Sequence, residues 1–106
     1  MIESEKIKEI VDKIISEYSP EKIILFGSYA NGVPNENSDL DLLLIKDSDL
    51  PRPQRSAQVR KILIGSLLPI DLIIYTPKEI EDSKNNKFGF VYEVLNNGKT
   101  LYERTN

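Results

Sequence analysis

Three aspartates and one glycine-serine pair hold most of the chemistry open to this sequence. Asp39 and Asp41 open the apolar run DLDLLLI. In an extended chain, side chains alternate between faces, so both aspartates share a side with Leu43 and Ile45, while Leu40, Leu42 and Leu44 take the other. The two carboxylates would stand roughly 6 to 7 Å apart by strand rise. Left unpaired in a partly buried place, such a pair is costly, and divalent cations would offset that cost. A bare Asp-x-Asp is more often a solvated strand start. Asp71, second residue of the apolar run IDLIIY, supplies a third carboxylate if the two runs lie side by side. Gly27-Ser28 follows the run KIILF. A glycine and a hydroxyl where a buried strand meets a helix start offer close backbone approach and free N–H groups suited to phosphate. Taken alone, the pair is an ordinary helix cap. Ten residues separate Ser28 from Asp39, enough for the turn to fold back over the aspartates.

The absent residues narrow the chemistry further. The chain has no Cys and no His, which excludes disulfides, thiolate nucleophiles, imidazole acid/base catalysis and zinc sites built on these ligands. Any metal would have oxygen ligands, favouring magnesium, manganese or calcium. A net charge of -3 disfavours non-specific nucleic-acid binding through a basic surface, although a nucleotide held through metal ions stays open. With 106 residues, 40% of them hydrophobic and 29% charged, residues 1–106 are expected to form a single globular domain. The charged start MIESEKIKEI and the lack of a long apolar stretch lead us to expect a cytoplasmic protein with no membrane span.

The elements that must position these residues follow from periodicity. Ile7, Ile10, Val11, Ile14, Ile15 and Tyr18 recur at helical spacing, and Pro20 enforces the end. Residues 22–26 read as a strand buried on both faces. A short helical turn follows, with Ser28 expected as its N-cap and Gly32 as its left-handed terminator. Residues 39–45 read as the second strand. Pro51 and Pro53 open a helix expected to run to about Leu68, with Val59, Ile62, Leu63 and Leu67 inward, until Pro69 breaks it. Residues 70–75 form the third strand. A strand, a helix of this length and another strand make a crossover, so the second and third strands should be parallel neighbours. That arrangement brings Asp71 level with Asp39 and Asp41. Thr76, Pro77 and Glu79 spell a capping box, residues 88–95 a helix stopping near Gly98, and residues 99–103 an edge strand. Arg52, Arg55, Arg60 and Lys61 read as the solvated charges of an exposed helix, with a triphosphate or partner as the alternative. Phe88, Phe90, Val91, Tyr92 and Leu95 read as core, with a partner surface as the alternative. Tyr29 either lines a nucleotide pocket or rests on the first helix.

The combination Gly27-Ser28, ten residues, then Asp39-x-Asp41, with Gly32 between and Asp71 on a later strand, resembles the minimal nucleotidyltransferase (MNT) domains of the DNA polymerase β-like superfamily. The resemblance is firm from Ile23 through Tyr75 and looser over VYEVLNNGKTLYE; Asn31 departs from the basic residue many relatives carry. It implies an α/β nucleotidyltransferase fold, a small mixed sheet flanked by helices. It further implies that Asp39 and Asp41 hold two Mg2+ ions, with Asp71 as a further ligand or as the proton acceptor of the attacking hydroxyl. Gly27 and Ser28 would contact the phosphates of a nucleoside triphosphate, ATP in the family. A chain of this size resembles the MntA-type antitoxin of HEPN/MNT toxin-antitoxin pairs, which implies adenylylation of a tyrosine on a HEPN-domain toxin. Two alternatives differ in kind: an antitoxin that neutralises its partner by binding alone, and a subunit that modifies a small molecule such as an aminoglycoside.

Overall fold

The computed structural model describes residues 1–105. Helix α1 spans Ser4–Tyr18, and its apolar stripe buries Ile10, Val11, Ile14 and Tyr18. It ends at Ser19, whose φ of 54° turns the chain out of the helix just before the buried Pro20. No basic residue lies in its last turn; instead Lys46 donates to the Tyr18 carbonyl and Arg104 to the Ser19 carbonyl. These distant cations satisfy carbonyls that the helix end leaves without partners.

Strand β1 covers Lys22–Phe26, α2 the single turn Ser28–Asn31, and β2 Leu40–Ile45. Helix α3 (Arg52–Ile62) then leads into β3 (Ile70–Tyr75). The chain finishes with α4 (Pro77–Ser83), α5 (Phe90–Asn97) and β4 (Lys99–Glu103). The sheet order is β3-β2-β1-β4. β2 and β3 are parallel, as the crossover through α3 requires, whereas β1 runs antiparallel to both β2 and β4. The sheet is therefore mixed.

Alternation along β1 and β2 divides the core between the two faces. Ile23, Leu25, Leu40, Leu42 and Leu44 join α1 and α3 on the first face. Ile24, Leu43 and Ile45 meet Val94 of α5 on the second, ringed by Phe26, Ile73, Tyr75 and Leu95. Both central strands are buried on both sides, which is why their sequences are apolar almost throughout.

Three expectations are corrected. Helix α3 stops at Ile62, not near Leu68: the chain turns through Gly65 (φ 94°) and Leu67 (φ 57°), and Leu67 is 95% exposed where an inward position was expected. Left-handed backbone at two nearby positions cannot continue a right-handed helix. Phe88 is fully exposed and precedes α5, which begins at Phe90 after the Gly89 cap. Arg55, expected to be solvated, is buried.

Candidate active site

The sheet places the acidic residues at one end. In the parallel ladder Asp41 is the register partner of Asp71, and in the antiparallel ladder it faces Phe26. Neighbouring strands lie about 4.8 Å apart and paired residues point to the same face, so Asp41 and Asp71 share the side of Leu43 and Ile45. Asp39 lies one residue before β2 and is exposed, as is Asp71, while Asp41 is half-buried. Burial pushes the Asp41 carboxyl up from its usual range, and the negative charges of Asp71 and then Asp39 push it further. The negative charges of Asp71 and Asp39 thus bear on the Asp41 carboxylate.

Gly27 explains the first half of the Gly-Ser pair. It ends β1 with φ 74° and ψ -156°, a conformation that favours glycine. Space makes the same demand: a β-carbon there would stand 2.1 Å from Asp41 Oδ2. The backbone at Gly27 therefore runs directly against the central carboxylate. Ser28 was expected to cap α2, but Gly27 occupies the cap position and no side chain supplies a capping hydrogen bond. The Gly27 carbonyl accepts from the amides of Ala30 and Asn31, which leaves the amides of Ser28 and Tyr29 outside the turn's own hydrogen bonding. Gly32 terminates the turn in the left-handed conformation, as expected.

Tyr29 takes the second of its two expected roles. Its hydroxyl accepts from the amide of Ile2, and its ring joins the first-face core beside α1. There it borders a cavity of about 670 Å³ between α1 and β4, whose lining includes none of the three aspartates. That cavity is mostly apolar and lies on the other face of the sheet from Asp41 and Asp71.

The acidic face carries an aromatic group that the sequence pattern marks only as core. Phe90 meets Phe26 edge to face, with ring centroids 5.3 Å apart, and lies 6.1 Å from Tyr75. Arg52 crosses the sheet edge to lie 4.0 Å above the Tyr75 ring. Arg55 was missed as a structural residue. Its guanidinium donates to the carbonyls of Leu50 (2.8 Å) and Ile74 (3.1 Å) and to Glu79 Oε1 (2.6 Å). Glu79 closes the expected capping box with Thr76, and its hydrogen bond from Arg55 holds its carboxyl down at about 2. The only clue in the sequence was the position of that glutamate, since the box required its side chain to turn back toward β3.

The donor chemistry of Asp39, Asp41 and Asp71 suits a hard divalent cation, and a cation would relieve the disfavoured charge on Asp41. Among the described residues no three acidic side chains are already gathered into a closed ligand group. No helix among them is long and apolar enough to cross a membrane.

Comparison with known proteins agrees with this architecture. The family model described as polymerase beta, nucleotidyltransferase matches residues 5–106. A candidate protein adenylyltransferase of Methanocaldococcus jannaschii, MJ0604, is 36% identical over 106 residues, covering 96% of this chain and 100% of its own length. A crystal structure of a candidate nucleotidyltransferase from Sulfolobus solfataricus superposes with a TM-score of 0.63 at 23% identity, over 92% of this chain and 78% of that one. A toxin-antitoxin crystal structure with AMP-PNP superposes with a TM-score of 0.62 at 22% identity, over 92% and 74% of the two chains. The two structures share the fold, and the match to the family model extends over nearly the whole sequence. The chain therefore belongs to the polymerase beta nucleotidyltransferase family.

Proposed function

We propose that this chain transfers a nucleoside monophosphate, AMP from ATP, to a hydroxyl of a partner protein, and that this transfer makes it a cytoplasmic antitoxin. The acceptor in this reading is a tyrosine of a HEPN-domain toxin, and residues 1–106 form one minimal catalytic unit to which the partner brings the acceptor. The observation that carries the proposal is the pairing of Asp41 with Asp71 across parallel strands, with the Gly27 backbone pressed against Asp41. The relationship to a candidate protein adenylyltransferase supports a protein acceptor, and the fold shared with a toxin-antitoxin structure supports the antitoxin role.

Each residue then has a task. Asp39 and Asp41 would hold two Mg2+ ions. These ions, when bound, neutralise the triphosphate and lower the pKa of the attacking hydroxyl. Gly27, lacking a side chain, lets phosphate approach the backbone, and Ser28 offers its amide and its uncommitted hydroxyl. Asp71, exposed at the mouth of β3, would be a further ligand of the ion that activates the acceptor hydroxyl or would itself take that hydroxyl's proton. The acceptor oxygen forms a bond to the α-phosphorus, the bond to the β-phosphate oxygen breaks, and pyrophosphate leaves. Catalysis rests on positioning and electrostatics, for which a site without histidine or cysteine suffices.

The test is to mix the protein with the product of its neighbouring gene, Mg2+ and each nucleoside triphosphate in turn. A nucleotide-sized mass increment on a tyrosine of that product is the expected result. No increment with any triphosphate would overturn the proposal.

A further inference from the structure

Strand β3 is an edge of the sheet. At the two ends of its ladder with β2, the Leu40 amide donates to the Pro69 carbonyl and the Lys46 amide to the Tyr75 carbonyl. Parallel alternation then turns the N–H and C=O groups of Asp71, Ile73 and Tyr75 toward β2, and those of Ile70, Leu72 and Ile74 outward. Arg55 already takes the Ile74 carbonyl. The outward groups of Ile70 and Leu72 and the Ile74 amide have no partner among the described residues. Two hollows of about 460 and 190 Å³ run along this edge and share Leu72 in their linings. Arg52 and Ser56 border the first, Arg60 the second, at four-residue steps along α3; Arg52 also makes a long, partly exposed contact of 3.4 Å to Glu79. Helix α3 (RPQRSAQVRKI) contains no acidic residue.

We propose that this edge receives an extended, acidic segment of the acceptor protein as a fifth strand, with its carboxylates on Arg52 and Arg60 and its hydroxyl at Asp71. The inference rests on the reading of the chain as a transferase acting on a protein hydroxyl. A residue of the added strand level with Asp71 points to the same face as Asp71 and Asp41, so backbone pairing alone fixes the height at which a hydroxyl arrives. A second copy of this chain suits the groove less well, because pairing two β3 edges would set two cationic α3 helices side by side.

Two short synthetic peptides provide the test, one alternating Glu and Val around a central Tyr, the other with Lys for Glu. The acidic peptide should slow hydrogen exchange of the Ile70, Leu72 and Ile74 amides by about tenfold. The Lys peptide should not, and the double variant R52E/R60E should lose the effect while still binding MgATP. The proposal is overturned if the acidic peptide leaves these amides unchanged, if the Lys peptide protects them equally, or if the double variant keeps the protection. It is also overturned if the double variant loses MgATP binding, or if protection arises from self-association without peptide. Protection of the edge without nucleotide transfer would sink the transferase reading and leave the docking groove standing. Transfer without protection would do the reverse.

Discussion

Gly27 and Asp41 approach so closely that a β-carbon on Gly27 would lie 2.1 Å from Asp41 Oδ2 and 3.1 Å from its Cγ. Glycine is required there twice, once by φ 74° and once by space. Gly32 has nearly the same φ, 79°, but a β-carbon added to it would meet nothing within 4 Å. The two Gly→Ala substitutions therefore separate backbone strain from steric displacement of the carboxylate. Gly32→Ala should cost about 1 kcal/mol and leave transfer within a few-fold of the parent. Gly27→Ala should cost more and lower transfer by about 100-fold, since displacing Asp41 misplaces the reacting groups. Thermal melts and a transfer assay on both variants check this.

Asp41 sits in an environment that opposes its charge. Its pKa is raised in the fold by burial and by Asp71 and Asp39, so the ionised form costs stability above that pKa, and the cost is relieved as pH falls. Asp41→Asn mimics the protonated state and should stabilise the metal-free protein at neutral pH by about 0.5 kcal/mol, while transfer falls by about 100- to 1,000-fold. Mg2+ should raise the melting temperature of the parent and not that of the variant. The variant also separates the enzyme from a binding-only antitoxin: the enzyme loses toxin neutralisation along with transfer, whereas a binder keeps neutralisation.

The strands that carry the three aspartates were legible in the sequence because short-range rules determined them. Two apolar runs joined by a helix-length segment required a parallel pair, which brought Asp71 level with the start of DLDLLLI; the pairing with Asp41 in particular comes from β2 beginning at Leu40. The turn at Gly27 was legible as a glycine requirement, but its cause was not, since the contact is with the side chain of Asp41 on the next strand. What escaped were residues whose surroundings come from distant segments. Arg55 lies in a helix whose sequence is mostly polar, and only the fold shows that Glu79 and the Ile74 carbonyl meet it. Leu67 looked inward because helical periodicity was extended past Gly65, where the backbone had already reversed hand.

Phe88 and Phe90, two residues apart, both read as core in the sequence and both are exposed, but Phe90, at 38%, far less than Phe88. Phe88 makes no protected contact, being fully exposed, whereas Phe90 meets the rings of Phe26 and Tyr75. Phe90→Ala should cost about 1 to 2 kcal/mol, and Phe88→Ala less than about 0.5 kcal/mol. Because Phe26 is the register partner of Asp41, Phe90→Ala should also reduce transfer by several-fold. Urea melts and transfer assays on the pair test both statements.

Acid should unfold this protein partly through Glu79. Its carboxyl is held at about 2, below the 4.5 of an unperturbed glutamate, first by the Arg55 hydrogen bond and then by the Thr76 amide. A depressed carboxylate stabilises the fold fully above the unfolded value and loses that contribution as pH falls from about 4.5 through about 2. Glu79→Gln should therefore flatten the dependence of stability on pH across that window. Arg55→Ala should be the more damaging change at pH 7, by about 2 to 4 kcal/mol, because it leaves Glu79 only the longer Arg52 contact and the Thr76 amide and also frees the Ile74 carbonyl. Arg55→Lys should recover little of this, since an ammonium cannot bridge Leu50, Ile74 and both Glu79 oxygens from one buried position. Chemical denaturation of the three variants between pH 2.5 and 7 gives the answer: an unchanged acid limb in Glu79→Gln would show that this ion pair does not link α3 to α4 energetically.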